Sequence, residues 1–224
     1  MGRFATTVPL YEKLRPPYPA VFFRNIARRL HLGREHALID LGTGPGLLAL
    51  GFAPYVGCVV GVDPEPAMLA AARKAAADAS KAITLIESRA EALPSDVGKF
   101  DVVTIGRALH WMEVDAIATL FERLVAPDGA ILVCSSSSAA DGRNPWLDEY
   151  NQARSFWSVP SEGERYQWAA WSRSSGHPVS SHGGNHGRNH PSAQGERPGA
   201  ARLDVLIIVS RRARKQGRTD AARC

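Results

Sequence analysis

Three glycines at alternate positions, Gly42, Gly44 and Gly46, interrupt the stretch "ALIDLGTGPGLLAL" (37–50) between one apolar run and the next. Small residues at a strand-to-helix turn let a ligand approach the backbone and reach the N–H groups that open the following helix. Two carboxylates accompany the turn: Asp40, two residues ahead of Gly42, and Asp63, which ends the run "CVVGVD" about twenty residues on. A carboxylate at the second place can accept hydrogen bonds from the two hydroxyls of a ribose. His110, in "ALHW", follows a third apolar run. Imidazole is the side chain most often used for proton transfer near neutral pH. Thr43 lies within the turn, and Trp111 beside His110 offers an aromatic wall or a core residue.

These types and spacings narrow the ligand. A dinucleotide turn of the G-x-G-x-x-G kind needs glycine at position 47, where this chain has Leu47. A carboxylate as close to the turn as Asp40 would also repel a pyrophosphate in a poorly screened cleft. A phosphate-free, cationic ligand fits better. Ribose recognition by Asp63 is common to NAD and S-adenosylmethionine, and the chemistry of the turn favours the second.

The elements that must hold these residues read as alternating strands and helices. "ALIDL" (37–41), "CVVGVD" (58–63), "ITLIE" (83–87), "FDVVTI" (100–105) and "AILVC" (130–134) are too continuous in Val, Ile and Leu for strands with one wet face. They predict a parallel sheet covered on both sides. Ile117, Leu120, Phe121 and Leu124 follow helical spacing, with Asp115 as the expected N-cap and "PDG" (127–129) as the stop. Phe23, Ile26, Ala27 and Leu30 repeat that spacing ahead of the first strand, and "PAMLAAARKAAADA" follows the second, with Pro66 tolerated near its start. The expected body is an α/β domain, a doubly wound, Rossmann-like, mostly parallel sheet.

Composition agrees with that body and divides the chain. The 224 residues are 45% hydrophobic and 22% charged, and no apolar run reaches the roughly 18 residues of a membrane span. This predicts a cytoplasmic protein without a membrane partner. The net charge of +5 is unevenly spread: residues 1–166 carry 17 basic and 19 acidic side chains, residues 167–224 carry 10 and 3. Cys58, Cys134 and Cys224 contain no CxxC pair and read as reduced, mostly buried thiols.

Five stretches, "LIDLGTGPG", "GVDPEPAMLAAAR", "ESRAEALP", "FDVVTIGRALHWM" and "LVAPDGAILV", resemble successive motifs of the class I S-adenosylmethionine-dependent methyltransferases. The lead-in Tyr11, Arg15, Pro16, Tyr18 and Pro19 is similar to that of the small-molecule, trans-aconitate-type branch. The likeness covers about residues 8–166. It implies a sheet ordered 3-2-1-4-5-7-6, which would hold Cys58 and Cys134 three strand spacings apart, about 14 Å, too far for a disulfide. It implies S-adenosylmethionine as cofactor. Asp40, Gly42, Thr43, Gly44 and Gly46 would position its methionine moiety, and Asp63 would take the ribose. Pro64 and Met68 would flank the adenine, while Ala90 and Glu91 would line the adenine edge. Where the family often has Asp or Asn the chain has Arg89, whose guanidinium offers only donors. Gly106 and Arg107 would lie along the methionine moiety, and Tyr11 and Arg15 would close over the cofactor carboxylate or bind an acidic substrate.

The expected activity is methyl transfer to a small molecule, a carboxylate among the candidates, with His110 as the catalytic base wherever the acceptor must lose a proton. "GRALHWM" lacks the Asn/Asp-Pro-Pro-aromatic segment of DNA adenine methylation, and no cysteine stands near it for cytosine C5 chemistry, so no specific nucleic-acid partner is expected. An NAD-dependent oxidoreductase is the second class, and a truncated, catalytically defective fold that binds only cofactor or partners is the third. From about Trp168 the apolar periodicity ends. Residues 1–166 are therefore the expected domain, and 167–224 a disordered basic tail without the family's normal C-terminal hairpin. "LDVLIIVS" (203–210) is the one strand-like exception there. Loss of periodicity, charge reversal and the end of the resemblance together point to a frameshift near Gln167. His182, His186 and His190 lie every four residues, but Gly183, Gly184 and Gly187 oppose a helix, and no metal site is expected.

Overall fold

The computed structural model describes residues 17–138, 148–149, 179–184 and 201–209. Helix α1 (Ala20–Arg29) precedes β1 (Ala37–Leu41). A short α2 (Leu47–Phe52), β2 (Cys58–Asp63) and α3 (Pro66–Asp78) follow, then β3 (Thr84–Glu87), β4 (Phe100–Gly106), α4 (Val114–Leu124) and β5 (Val125–Ser138). Single 3-10 turns stand at Ala90–Ala92 and Leu109–Trp111. The sheet order is β3-β2-β1-β4-β5-β7-β6, with β1 to β5 parallel and the last two strands antiparallel.

Both faces of β1, β2 and β4 are dry, as a sheet built by crossover helices requires, while β3 at the edge is half-buried. On one face Leu38, Val59, Val102 and Leu132 meet Phe22, Phe23, Ile26 and Phe52. The Phe23 and Phe52 rings cross edge to face at 5.0 Å, an arrangement that adds about 0.5–1.5 kcal/mol to the burial of the rings themselves. On the other face Ile39, Val60, Val103 and Ile105 pack against Ile117, Leu120, Phe121 and Leu124 of α4. Neighbouring strand residues thus serve opposite layers, which explains the unbroken Val/Ile/Leu runs.

The structure corrects the expectations at several points. Helix α4 starts at Val114 with Glu113, not Asp115, as its N-cap, and it gives way at once to β5, whose span runs well beyond 130–134 on both sides. Beyond β5 the sheet carries β6 (Val179–Gly184) and β7 (Ala201–Val209), so the C-terminal hairpin expected to be lacking is present. β7 takes up the strand-like "LDVLIIV". β6, "VSSHGG", shows no apolar pattern because an edge strand is held by backbone pairing that asks little of its side chains. The junction near Gln167 lies outside the described residues. Cys134 is a buried free thiol, as expected, whereas Cys58 is disulfide-bonded rather than reduced. β2 and β5 are separated by β1 and β4, in keeping with the distance expected between Cys58 and Cys134. No helix among the described residues is long and apolar enough to cross a membrane.

Candidate active site

Where β1 and β4 lie side by side, the chain leaves β1 toward β2 and β4 toward β5, so their carboxyl ends open a crevice, the usual ligand position in such sheets. The glycine turn fills its floor. Gly42 has φ +68 and Gly44 φ +53, backbone that L side chains rarely adopt. A Cβ added at Gly42 would stand 2.5 Å from the Ala108 Cβ, whereas one at Gly44 would meet no protein atom within 4 Å. The first glycine lets the turn pack on the loop after β4, and the second leaves room for a ligand against the backbone.

Three N–H groups of the turn are committed within the protein. Thr43 donates to the Val62 carbonyl at 2.9 Å, Gly46 to the Thr43 carbonyl at 2.9 Å, and Gly44 to Asp63 Oδ2 at 2.8 Å. Pro45 has none to give. A diphosphate would therefore find carboxylate where it needs donors.

Asp40 is 1% exposed, and its carboxylate accepts hydrogen bonds from Thr104 Oγ1 at 2.6 Å and Thr43 Oγ1 at 2.7 Å. Burial pushes its pKa up to about 6 against the pull of those hydroxyls. Asp63, at the end of β2, accepts from Glu65 N–H at 2.9 Å as well as from Gly44. Burial raises its pKa too, with the two N–H groups opposing. The Cys134 thiol is pushed above its ordinary range by burial, which leaves it inert as a nucleophile.

A cavity of about 510 Å³ lies over these strand ends. Of the residues expected from the sequence, Gly42, Gly44, Asp63, Pro64, Met68, Ala90, Glu91, Gly106 and Arg107 line it. Asp40 and Thr43 line a smaller recess next to it, which shares Gly42, Gly44, Gly106 and Arg107. Gly46 lines neither and serves as the left-handed N-cap of α2. Tyr11 and Arg15 lie outside the described residues. His110 is exposed and is not among the cavity-lining residues; its ring lies 4.9 Å from that of Trp111, which does line the cavity and is itself 52% exposed.

Other lining residues were not among the expected site residues. Glu65, Arg89, Ala108 and Met112 complete the large cavity, and Tyr18, Pro45, Leu47 and Leu48 the recess. Glu65 could have been found from its place two residues after Asp63, and Met112 from its place next to Trp111. The Tyr18 ring carries the Arg107 guanidinium at 4.7 Å, and Arg107 adopts φ +56 with its N–H on the Cys134 carbonyl at 2.8 Å. No group of three or more metal-ligating side chains occurs among the described residues.

Residues 38–129, which hold the turn, both carboxylates and the Trp111 wall, match the family model of a methyltransferase domain. The matched segment is similar to the domain of S-adenosylmethionine-dependent methyltransferases. A probable S-adenosylmethionine-dependent methyltransferase of Saccharomyces cerevisiae is 30% identical over 122 residues, 53% of this chain and 42% of that protein. The uncharacterized methyltransferase YcgJ of Bacillus subtilis is 31% identical over 118 residues, 52% of this chain and 46% of that one. The alignments thus span about half the length of these curated relatives. The YcgJ crystal structure superposes with a TM-score of 0.58 at 19% identity, covering 85% of this chain and 98% of that one. A phosphoethanolamine N-methyltransferase of Haemonchus contortus, in complex with phosphomonomethylethanolamine and S-adenosylhomocysteine, superposes with a TM-score of 0.62 at 15% identity, covering 93% and 58%. These structural likenesses show the shared methyltransferase fold.

Proposed function

We propose that this chain transfers a methyl group from S-adenosylmethionine to a small-molecule acceptor, with carboxylic acids of the trans-aconitate kind as the acceptor class. The observation that carries the proposal is the glycine turn, where the N–H groups of Thr43, Gly44 and Gly46 are spent on Val62, Asp63 and Thr43 and carboxylates stand alongside. A sulfonium-bearing amino acid suits that environment and a diphosphate does not. The donor's methyl group is already activated by the sulfonium, so the chain's work is orientation and exclusion of water. Asp63 would hold the ribose, Pro64 and Met68 one face of the base, and Ala90 and Glu91 its edge. Gly42, Gly44, Gly106 and Arg107 would run beside the methionine moiety, with Tyr11 and Arg15 over its carboxylate. Trp111 stands at the mouth, where an acceptor would enter.

A carboxylate acceptor has no proton to lose, and an acceptor hydroxyl or amine has one. We assign His110, at the rim beside Trp111, as the base for the second kind only. His110→Gln should slow transfer to hydroxyl or amine acceptors by about 100-fold or more and leave carboxylate methylation within a few-fold. Calorimetry with S-adenosylhomocysteine and with NADH tests the cofactor, and transfer of labelled methyl to a panel of acids, alcohols and amines tests the reaction. NADH binding without S-adenosylhomocysteine binding would overturn the proposal, and binding of S-adenosylhomocysteine without turnover on any acceptor would leave a fold that only holds the donor.

A further inference from the structure

Beside Asp63, the large cavity is lined by Pro64 and Met68 and by the turn at Arg89, Ala90 and Glu91. If the donor lies as proposed above, on which this inference rests, its purine reaches that turn. Two of the carboxylates there accept from the protein's own donors. Asp63 accepts from the N–H groups of Gly44 and Glu65, and Glu91 accepts from Glu113 N–H at 3.1 Å through Oε1. Glu91 Oε2 lies 3.5 Å from Arg89 Nε, an ion pair at the base of the guanidinium fork. The Arg89 side chain is 60% exposed at the mouth, while Glu91 is 16% exposed beneath it.

An arginine has five donors and no acceptor, so it cannot accept from the 6-amino group of adenine. Its fork matches the paired acceptors O6 and N7 of a 6-oxo purine, the geometry by which arginine selects guanine over adenine in DNA. We infer that Arg89 is a specificity-determining residue that makes the purine end of this cavity favour, or at least accept, oxygen in place of the amino group at the 6-position. Glu91 acts as its positioning residue by holding Nε.

The test is calorimetric binding of S-adenosylhomocysteine and S-inosylhomocysteine to the full chain and to Arg89→Asn, with thermal melts to establish that the variant is folded. Wild type should bind the inosyl compound within about threefold of the adenosyl one or more tightly, and Arg89→Asn should shift the ratio at least about tenfold toward adenosyl, since asparagine can pair with N6 and N7. A wild-type preference for adenosyl above about tenfold, unchanged in Arg89→Asn and in Arg89→Ala, would overturn the inference and leave the donor reading standing. Failure of both compounds to bind wild type would overturn the donor reading and this inference with it.

Discussion

Asp40 accepts two hydroxyl hydrogen bonds, yet burial outweighs them and holds its pKa near 6, above the 3.8 of an exposed aspartate. Between those values the folded chain keeps a proton that the unfolded chain has lost. The stabilising share of Asp40 is therefore present in acid and is lost as pH rises from about 4 through 6, by at most about 3 kcal/mol. Asp40→Asn removes the titration: the melting temperature of the ligand-free variant relative to wild type should climb between pH 4 and 7, and equal pH profiles would contradict the assignment. A cationic donor reverses the sense, because it favours the ionised carboxylate. Affinity for S-adenosylmethionine relative to the uncharged-sulfur product S-adenosylhomocysteine should rise from pH 5 to 7 in wild type and stay flat in Asp40→Asn. Asp63 differs in standing in the large cavity while it also ties down the Gly44 and Glu65 N–H groups. Asp63→Ala should weaken S-adenosylhomocysteine by about 10- to 100-fold through the lost ribose contacts, and it should lower the melting temperature as well because two donors are orphaned. Calorimetry and melts on one preparation separate the two effects.

The turn after β1 and the loop after β4 meet at Gly42 and Ala108, with no room for a methyl group between them. Gly42→Ala adds a left-handed alanine and a clash, each costing about 1–3 kcal/mol. Pairing it with Ala108→Gly removes the clash and keeps the strain, so the double variant should recover about half of the loss in a urea melt. Full recovery would mean that the backbone at 42 is unstrained. The contact also marks how far the sequence could be read. β1 and β2 were legible to the residue, since parallel strands dry on both faces leave unbroken Val/Ile/Leu runs, and α3 began where Pro66 announced it. Asp63 was legible as the last residue of a strand, whereas Pro64 and Met68 came from the family resemblance and their place in the cavity from the helix that follows β2. The sealing of Asp40 was not legible, because it depends on Thr104, which only the β1–β4 register brings alongside. Nor was the rim position of His110, set by a single 3-10 turn that shows Trp111 to the cavity instead. β6 was hidden for the opposite reason: its pairing is made by backbone, which leaves no pattern in side chains.

Across the whole molecule, charge and sheet divide the chain differently. The acidic body ends near residue 166 by composition, yet the sheet runs on through β7 and β6, drawn from the basic remainder. β7 pairs with β5 over nine residues, Ala130–Ser138 against Ala201–Val209. Ending the chain at residue 166 would strip that edge while leaving the glycine turn, Asp63 and the Trp111 loop in place. A bare apolar edge strand is a template for another chain, so the shortened protein should elute from size exclusion as dimers and larger species, increasingly so with concentration, where the full chain elutes smaller. S-adenosylhomocysteine affinity should fall by less than about tenfold, because none of the cavity residues is removed. If the shortened chain instead ran as a monomer with an unchanged melting temperature, β7 would contribute nothing to the edge it covers. If it stayed monomeric and lost the ligand altogether, the hairpin would be acting on the cavity through β5, whose Cys134 carbonyl holds the Arg107 backbone. The two results are told apart by running light scattering and calorimetry on the same fractions.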